Sequence, residues 1–216
     1  MIKLFFSTGI VLIGIQAALA QSNDVRKLVK DAFASNDQIQ AAAHLDQAYQ
    51  KDTEDFVEEL AFVICYDKQK AQAALPLLSK LIERHPDDKY LYHLRGCGKI
   101  VLGDYDNAIT DASKVIEIEP FFSAAYDMRA FAFSQKGDEA SCRRDKEAKL
   151  DAERKLRVAL TTCEAKIKED PLNAALYIER ARYQELQGKK KDAEADRQKA
   201  AELLKAQREK QTATEK

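Results

Sequence analysis

The sequence contains no tryptophan and few residues that interrupt helices. Its 216 residues include four prolines and seven glycines, a scarcity that favours an all-helical chain over one built from strands and tight turns. An excess of one charge is also absent, because 35 Lys and Arg face 36 Asp and Glu, for a net charge of −1. Nucleic-acid binding draws on clustered positive charge, so we expect no nucleic-acid partner.

The common signatures of catalysis and metal binding are missing as well. The sequence has no HExxH, no GxSxG, no glycine-rich phosphate loop and no CxxC, and its three histidines lack metal-motif spacing. We therefore predict a protein that is not an enzyme and that holds no cofactor and no metal.

The first 20 residues have the features of a secretory signal peptide. Lys3 supplies a positive start, residues 4–15 are mostly apolar, and Ala18, Leu19 and Ala20 form a small-x-small cleavage pattern. The alternative, a membrane anchor, would require about 20 apolar residues. We predict cleavage after Ala20 and export, to the periplasm or as a secreted protein, with no transmembrane segment in the mature chain.

Glycine and proline recur with one period. Gly103 and Gly137 are 34 residues apart, and so are Pro86 and Pro120. The next members, Gly188 and Pro171, each follow after 51 residues, which is 34 plus an insertion of 17. Each Gly ends one apolar-periodic stretch and each Pro follows the next one, so the pattern predicts a repeated unit of helix, turn, helix and break.

Residues 89–122 closely resemble a tetratricopeptide repeat. The residues that carry the resemblance here and in the later units are Gly96, Gly103, Ala108, Pro120, Ala130, Gly137, Pro171, Ala181, Gly188 and Ala193. The family implies an all-α, right-handed superhelix of stacked helix-turn-helix units, here with one lengthened helix. Where the family prefers Leu, this chain has Arg95, Arg129 and Arg180, and we expect each arginine to pack its stem while its charged head stays in water.

The period divides the mature chain into five segments. They are a degenerate helical pair at 21–54, two repeats at 55–122, a repeat with the insertion at 123–173, a repeat with a capping helix at 174–207, and a polar tail at 208–216.

The insertion predicts one long helix, because residues 138–170 contain neither Gly nor Pro. Residues 143–157 include 11 charged side chains among 15, and we expect this part to project from the body. An apolar stripe follows at Leu156, Leu160, Cys163 and Ile167 and predicts a packed second part. A hairpin with its break at 149–154 is the alternative.

Of the possible disulfides among the four cysteines, one pair is a candidate and one is excluded by its distance along a helix. Cys142 and Cys163 would lie about 31 Å apart on a continuous helix, too far for a bond. Cys65 and Cys97 fall on first helices of adjacent units, so that pair stays open. The alternative is that the cysteines serve as small buried hydrophobic residues.

The resemblance also implies a function. In tetratricopeptide proteins the first helices line a concave groove that holds a peptide or helix of a partner protein. The corresponding positions here are Phe56, Glu59, Val63, Tyr66, Tyr90, His93, Cys97, Ile100, Asp127, Phe131, Ser134, Ile178 and Arg182. We expect a protein-interaction scaffold or assembly adaptor in the cell envelope. The alternatives are a homo-oligomer formed through the charged long helix, or a carrier of an apolar small molecule or lipid.

Overall fold

The described part of the chain is helical throughout. A computed structural model describes residues 23–35 and 37–214, so the predicted signal peptide at 1–20 lies outside the described residues. The helices are α1 (Asn23–Ala34), α2 (Gln38–Lys51), α3 (Thr53–Tyr66), α4 (Lys68–Arg84), α5 (Lys89–Leu102), α6 (Tyr105–Ile118), α7 (Ser123–Gln135), α8 (Glu139–Glu169), α9 (Ala174–Leu186) and α10 (Lys190–Thr214). No strand occurs within the described ranges, and the predicted all-α class is confirmed.

Consecutive helices pack as pairs, and the pairs stack. Helix α1 packs on α2, α5 on α6, and α9 on α10, while α4 also packs on the following α5 and α6 on the following α7. First helices of neighbouring pairs touch as well, as α3 and α5 do. This is the stacked helix-turn-helix arrangement that the 34-residue period predicts.

The chain divides into two compact bodies. The N-terminal body comprises the described residues up to Lys149, and the C-terminal body comprises those from Leu150. In the N-terminal body a continuous apolar core runs from α1 to α5, and its largest fully buried side chains include Leu45, Phe56, Leu60, Ile64 and Leu78.

Aspartates make the short connections that lack a glycine. Asp67 alone joins α3 to α4 with extended backbone, and its carboxylate accepts hydrogen bonds from the backbone N–H groups of Gln69 at 2.9 Å and Lys70 at 3.1 Å. Asp52 joins α2 to α3 in the same way. Capping by a side chain satisfies the free N–H groups at a helix start, so these two connections need no left-handed residue.

The later connections use glycine instead. Gly103 has a φ of 81°, Gly137 of 78° and Gly188 of 74°, the left-handed conformation that residues with a Cβ resist. The N–H of Gly103 donates to the carbonyl of Ile100, and the N–H of Asp104 donates to that of Lys99 at 2.8 Å. The glycines that define the period therefore end the first helices of their repeats.

Replacing Gly103 with alanine should lower stability by about 1–2 kcal/mol, the cost of holding an L-residue in the left-handed region. A Cβ at this position would have no heavy atom within 4 Å, so the loss comes from the backbone alone. Thermal unfolding followed by circular dichroism measures it. Gly103→Asn is the matched control and should lose less, because Asn tolerates this conformation better. An alanine variant as stable as the wild type would contradict the assignment.

The three arginines in the repeats form partly buried ion pairs, so the expectation that water alone surrounds their head groups is wrong. Each guanidinium binds both oxygens of an aspartate 16 residues later, on the second helix of the same repeat. The pairs are Arg95 with Asp111 at 2.7 and 3.0 Å, Arg129 with Asp145 at 2.7 and 2.8 Å, and Arg180 with Asp196 at 2.6 Å for both bonds. The aspartates are buried, and a two-pronged bond fixes orientation as well as distance.

Further contacts surround each of these arginines. Arg95 and Arg129 also donate to the hydroxyl groups of Ser79 and Ser113 on the preceding second helix, at 3.0 and 2.9 Å. Each guanidinium lies 5.5–6.0 Å from the ring of a tyrosine three residues earlier. In the first two cases the arginine therefore links its own repeat to the one before it.

The insertion forms one helix, α8, of 31 residues, and the alternative hairpin does not form. Its apolar stripe is buried, as predicted. The expectation that the charged part projects is wrong for its first turns, because Asp145 is buried against Arg129 and the Lys149 ammonium lies 2.6 Å from the Asp127 carboxylate. The prediction of exposure rested on charge alone. In the structure, oppositely charged residues on α7 pair with Asp145 and Lys149.

The last helix extends beyond the predicted repeat. Helix α10 runs from Lys190 to Thr214 without a break. It joins the second helix of the last repeat to the predicted cap, and most of residues 208–216, which we predicted as a tail, continue the same helix. Ala193 and Ala200 are buried in it, whereas most of its other side chains are exposed.

Candidate binding surface

Helix α5 presents the most complete part of the predicted groove. Tyr90, His93, Cys97 and Ile100 are all half-buried, so each keeps some surface for contact. The edge of the Tyr90 ring meets Phe122 at a centroid distance of 5.7 Å, and Lys89 Nζ lies 4.7 Å from the centroid of Tyr90. Packing thus fixes the Tyr90 ring while part of it stays accessible.

His93 and Cys97 lie one helical turn apart on the same face. His93 Nε2 is 3.7 Å from Cys97 Sγ, and the His93 ring meets Phe122 edge-on at 5.2 Å. Burial lowers the pKa of His93 to about 4, so the ring is neutral at pH 7. Burial also raises the pKa of the Cys97 thiol, and the nearby Cys65 raises it further.

Helix α7 continues the surface within the N-terminal body. Phe131 and Ser134 are half-buried, and Phe131 meets the ring of Tyr105 at 6.4 Å. The predicted contact residue Asp127 binds Lys149, so its charge is already compensated within the protein. Helix α7 therefore offers an aromatic ring and a hydroxyl rather than a free charge.

Helix α3 differs most from the predicted binding groove. Phe56 is fully buried in the core and presents no surface to a partner, so its assignment to the groove is wrong. Val63 is half-buried, and Glu59 is paired with Arg26 at 2.5 Å. The side chain of Tyr66 lies outside the described residues.

An exposed aromatic residue on α3 was missed. Phe62 is 61% exposed, although the family's groove positions pass over it. The run of apolar residues at 60–64 was the available signal, because a helix with consecutive apolar residues cannot bury all of them on one face.

The C-terminal body holds the last two predicted contact residues, both on α9. Ile178 is 51% exposed and Arg182 is also exposed. Each is accessible on the surface of its own body.

A depression of about 420 Å³ lies where α2, the α4–α5 connection and the end of α6 meet. The Tyr49 hydroxyl donates a hydrogen bond to Asp88, and burial together with this bond raises the pKa of Tyr49. Asp88 also accepts the backbone N–H of Tyr90 at 2.7 Å and so caps α5. No local pattern predicts this site, because Tyr49 and Asp88 are 39 residues apart in the sequence.

The cysteines and acidic residues show no built metal centre or disulfide. Within the described ranges, no group of three or more His, Cys, Asp or Glu side chains is arranged to hold a metal ion. All four cysteines are free, so the disulfide considered for Cys65 and Cys97 is not formed. Burial raises the pKa of Cys65 to about 12, which keeps it a neutral thiol.

Crossing a bilayer requires a helix of about 20 mostly apolar residues. Of the helices between Asn23 and Thr214 that the structure describes, none is both long enough and apolar enough to do so.

Paired helices in a stack, a 34-residue period and left-handed glycines at the turns define a helical repeat protein. No protein-family model matches the chain. Part of the sequence is similar to the protein SGT1 homolog of Bos taurus, with 43% identity over 58 residues, which is 27% of this chain and 17% of that protein. The human SGT1 homolog matches at 44% over 54 residues, 25% of this chain and 15% of that protein. The likeness thus spans less than a fifth of the curated relatives' length.

Solved structures of repeat proteins align along most of the chain. A crystal structure of MamA aligns with a TM-score of 0.42 and 16% identity, and covers 88% of this chain and 99% of that one. A tetratricopeptide repeat protein from Parabacteroides merdae aligns with a TM-score of 0.41 and 18% identity, over 81% of this chain and 78% of that one.

Proposed function

We propose that this protein is a non-enzymatic interaction scaffold of the cell envelope, which holds a peptide or helix of a partner protein against its first helices. The observation that carries the proposal is the row of half-buried apolar and aromatic side chains on α5 and α7, above all Tyr90, Ile100 and Phe131. Repeat-equivalent positions on stacked helices form a preorganised surface, so little conformational entropy is lost on binding.

The charges beside this surface favour an apolar ligand. Asp127 is paired with Lys149, and Glu59 with Arg26, so neither requires a charged partner. The places where some tetratricopeptide proteins carry a clamp for a C-terminal carboxylate hold Leu94 and Met128, both buried. A partner segment that presents spaced apolar side chains fits this arrangement better than one recognised through its terminal charge.

A photo-crosslinking residue placed at Ser134 tests the proposal in cells that make the full chain. Ser134 is half-buried beside Phe131 on α7, so we expect a covalent adduct with a specific protein in the envelope fraction. Ile116, half-buried on the second helix α6, is the matched control site and should give no such adduct.

The double variant Tyr90→Ala and Phe131→Ala, carrying the crosslinker at Ser134, should lose most of that adduct while circular dichroism shows an intact fold. An adduct of equal strength in the double variant, or one found only with cytosolic proteins, would refute the proposal. An adduct between two copies of the chain would support the self-association alternative instead.

A further inference from the structure

Three side chains with soft or nitrogen donor atoms converge between α5 and α7. Cys97 Sγ lies at the centre, 3.7 Å from His93 Nε2 and 3.9 Å from Met128 Sδ. His93 and Cys97 come from successive turns of α5, whereas Met128 comes from the first helix of the next repeat.

Neighbouring groups hold this cluster in place. Met128 is 1% exposed, and a Cβ at Gly96 would lie 2.8 Å from both its Sδ and its Cε atoms. The absence of a Cβ at position 96 therefore leaves room for the Met128 thioether in its present position beside Cys97. His93 Nδ1 has no hydrogen-bond partner among the described residues, and Nε2 faces the Cys97 sulfur. The imidazole is therefore not committed to a structural hydrogen bond with oxygen or nitrogen.

The two separations from the Cys97 sulfur match those of a three-coordinate metal ion. With metal–sulfur bonds of about 2.3 Å and metal–nitrogen bonds of about 2.0 Å, a trigonal centre separates two sulfur atoms by about 4.0 Å and a sulfur–nitrogen pair by about 3.7 Å. The observed separations are 3.9 and 3.7 Å. Both separations from the shared Cys97 sulfur therefore agree with a trigonal arrangement of the three donors around one ion.

We propose that His93, Cys97 and Met128 form a binding site for one copper(I) ion. Thiolate and thioether sulfur favour soft ions such as copper(I) over hard ions such as magnesium and calcium. Zinc shares the preference for thiolate and imidazole, but its protein ligands are Cys, His and carboxylate side chains rather than a thioether. When the ion binds, the Cys97 thiol releases its proton to solvent and the thiolate bonds to the metal, with no change of oxidation state. One thiolate and one monovalent cation leave no net charge in a partly buried place, whereas a divalent ion would leave one.

The nearby acidic side chains do not favour a divalent ion. Asp111 is bonded to Arg95 and Lys99, and Asp127 to Lys149, so both carboxylates are already paired. Cys65 lies close enough to raise the pKa of the Cys97 thiol and is the alternative second sulfur ligand. The experiment must therefore separate a thiolate–thioether–imidazole site from a pair of thiolates.

Anaerobic titration of the full chain with copper(I), against a chromophoric copper(I) chelator, measures stoichiometry and affinity. We expect one ion per chain. Met128→Leu, which keeps the volume of the side chain, and Cys97→Ser should each weaken binding by about tenfold or more. Cys65→Ser and Cys163→Ser are the matched controls and should bind as the wild type does. Serine at 163 can still donate to the Leu176 carbonyl, which the thiol contacts at 3.2 Å.

X-ray absorption of the copper-loaded wild type provides a test that needs no variant. Two sulfur atoms and one nitrogen around the metal are expected, with the nitrogen lost in His93→Gln. Failure of the wild type to bind would overturn the proposal. So would a sulfur-only shell, or loss of binding in Cys65→Ser with Met128→Leu unaffected. These measurements need no protein partner, so their outcome is independent of the cross-linking test of the proposed function.

Discussion

Replacing Phe56 with alanine is expected to lower the free energy of unfolding by about 3–5 kcal/mol, the usual cost of removing a buried phenylalanine ring. Phe56 is fully buried in the core that extends from α1 to α5, and its ring meets that of Tyr49 edge-on at a centroid distance of 5.6 Å. The variant loses this apolar burial and leaves a cavity that neighbouring helices cannot fill completely. Urea unfolding followed by circular dichroism measures the loss.

Phe62 provides the matched control, because the same residue type lies six positions later on the same helix and is 61% exposed. Phe62→Ala should leave the unfolding midpoint nearly unchanged. A binding role for this helix would then be tested with the Phe62 variant, since Phe56 cannot contact a partner directly. Equal destabilisation by the two substitutions would contradict the burial assigned to Phe56.

Replacing Asp145 with alanine should cost about 2–4 kcal/mol, because it leaves the Arg129 guanidinium partly buried without its anion. The Arg129 side chain is 22% exposed and that of Asp145 is 7% exposed. The cost should therefore fall below that of a fully buried pair, since Arg129 can shift towards water. The free energy of unfolding in urea is again the measured quantity.

A double-mutant cycle separates the pair from its surroundings. Arg129→Leu removes the charge and leaves an apolar side chain, so Arg129→Leu with Asp145→Ala should be less destabilised than Asp145→Ala alone. The exposed pair of Lys114 and Glu117, at 2.7 Å on α6, is the control. Its removal should leave the unfolding midpoint unchanged. Additive losses in the cycle would show that Arg129 and Asp145 do not stabilise each other.

Local patterns in the sequence were sufficient for the helical repeat. Gly103 and Gly137 predicted the turns because only a residue without a Cβ takes a left-handed backbone at no cost, and the structure has both in that conformation. The absence of Gly and Pro across 138–170 predicted one long helix for a similar reason, and α8 is continuous. These patterns depend on residues only a few positions apart, so the turns and the long helix can be predicted from a single sequence.

The candidate site was only partly predictable, because it depends on which face of each helix meets a neighbour. The family's groove positions placed Phe56 on the surface, yet it is fully buried in the apolar core that runs from α1 to α5. The same positions included His93 and Cys97, but the sequence did not indicate that Met128 from the next repeat would lie 3.9 Å from Cys97.

The sequence by itself determined the all-α class, the period, the turns and the unbroken insertion, because backbone propensity and hydrophobic periodicity act over one or two helical turns. Only the tertiary structure decided how the charges and donor atoms are used. Arg129 donates hydrogen bonds to Asp145, which lies 16 residues later in the sequence. Cys97 contacts Met128, which lies 31 residues later. These contacts depend on how the helices pack against one another. An arginine that the local pattern assigns to water becomes partly buried when a second helix brings a carboxylate to it.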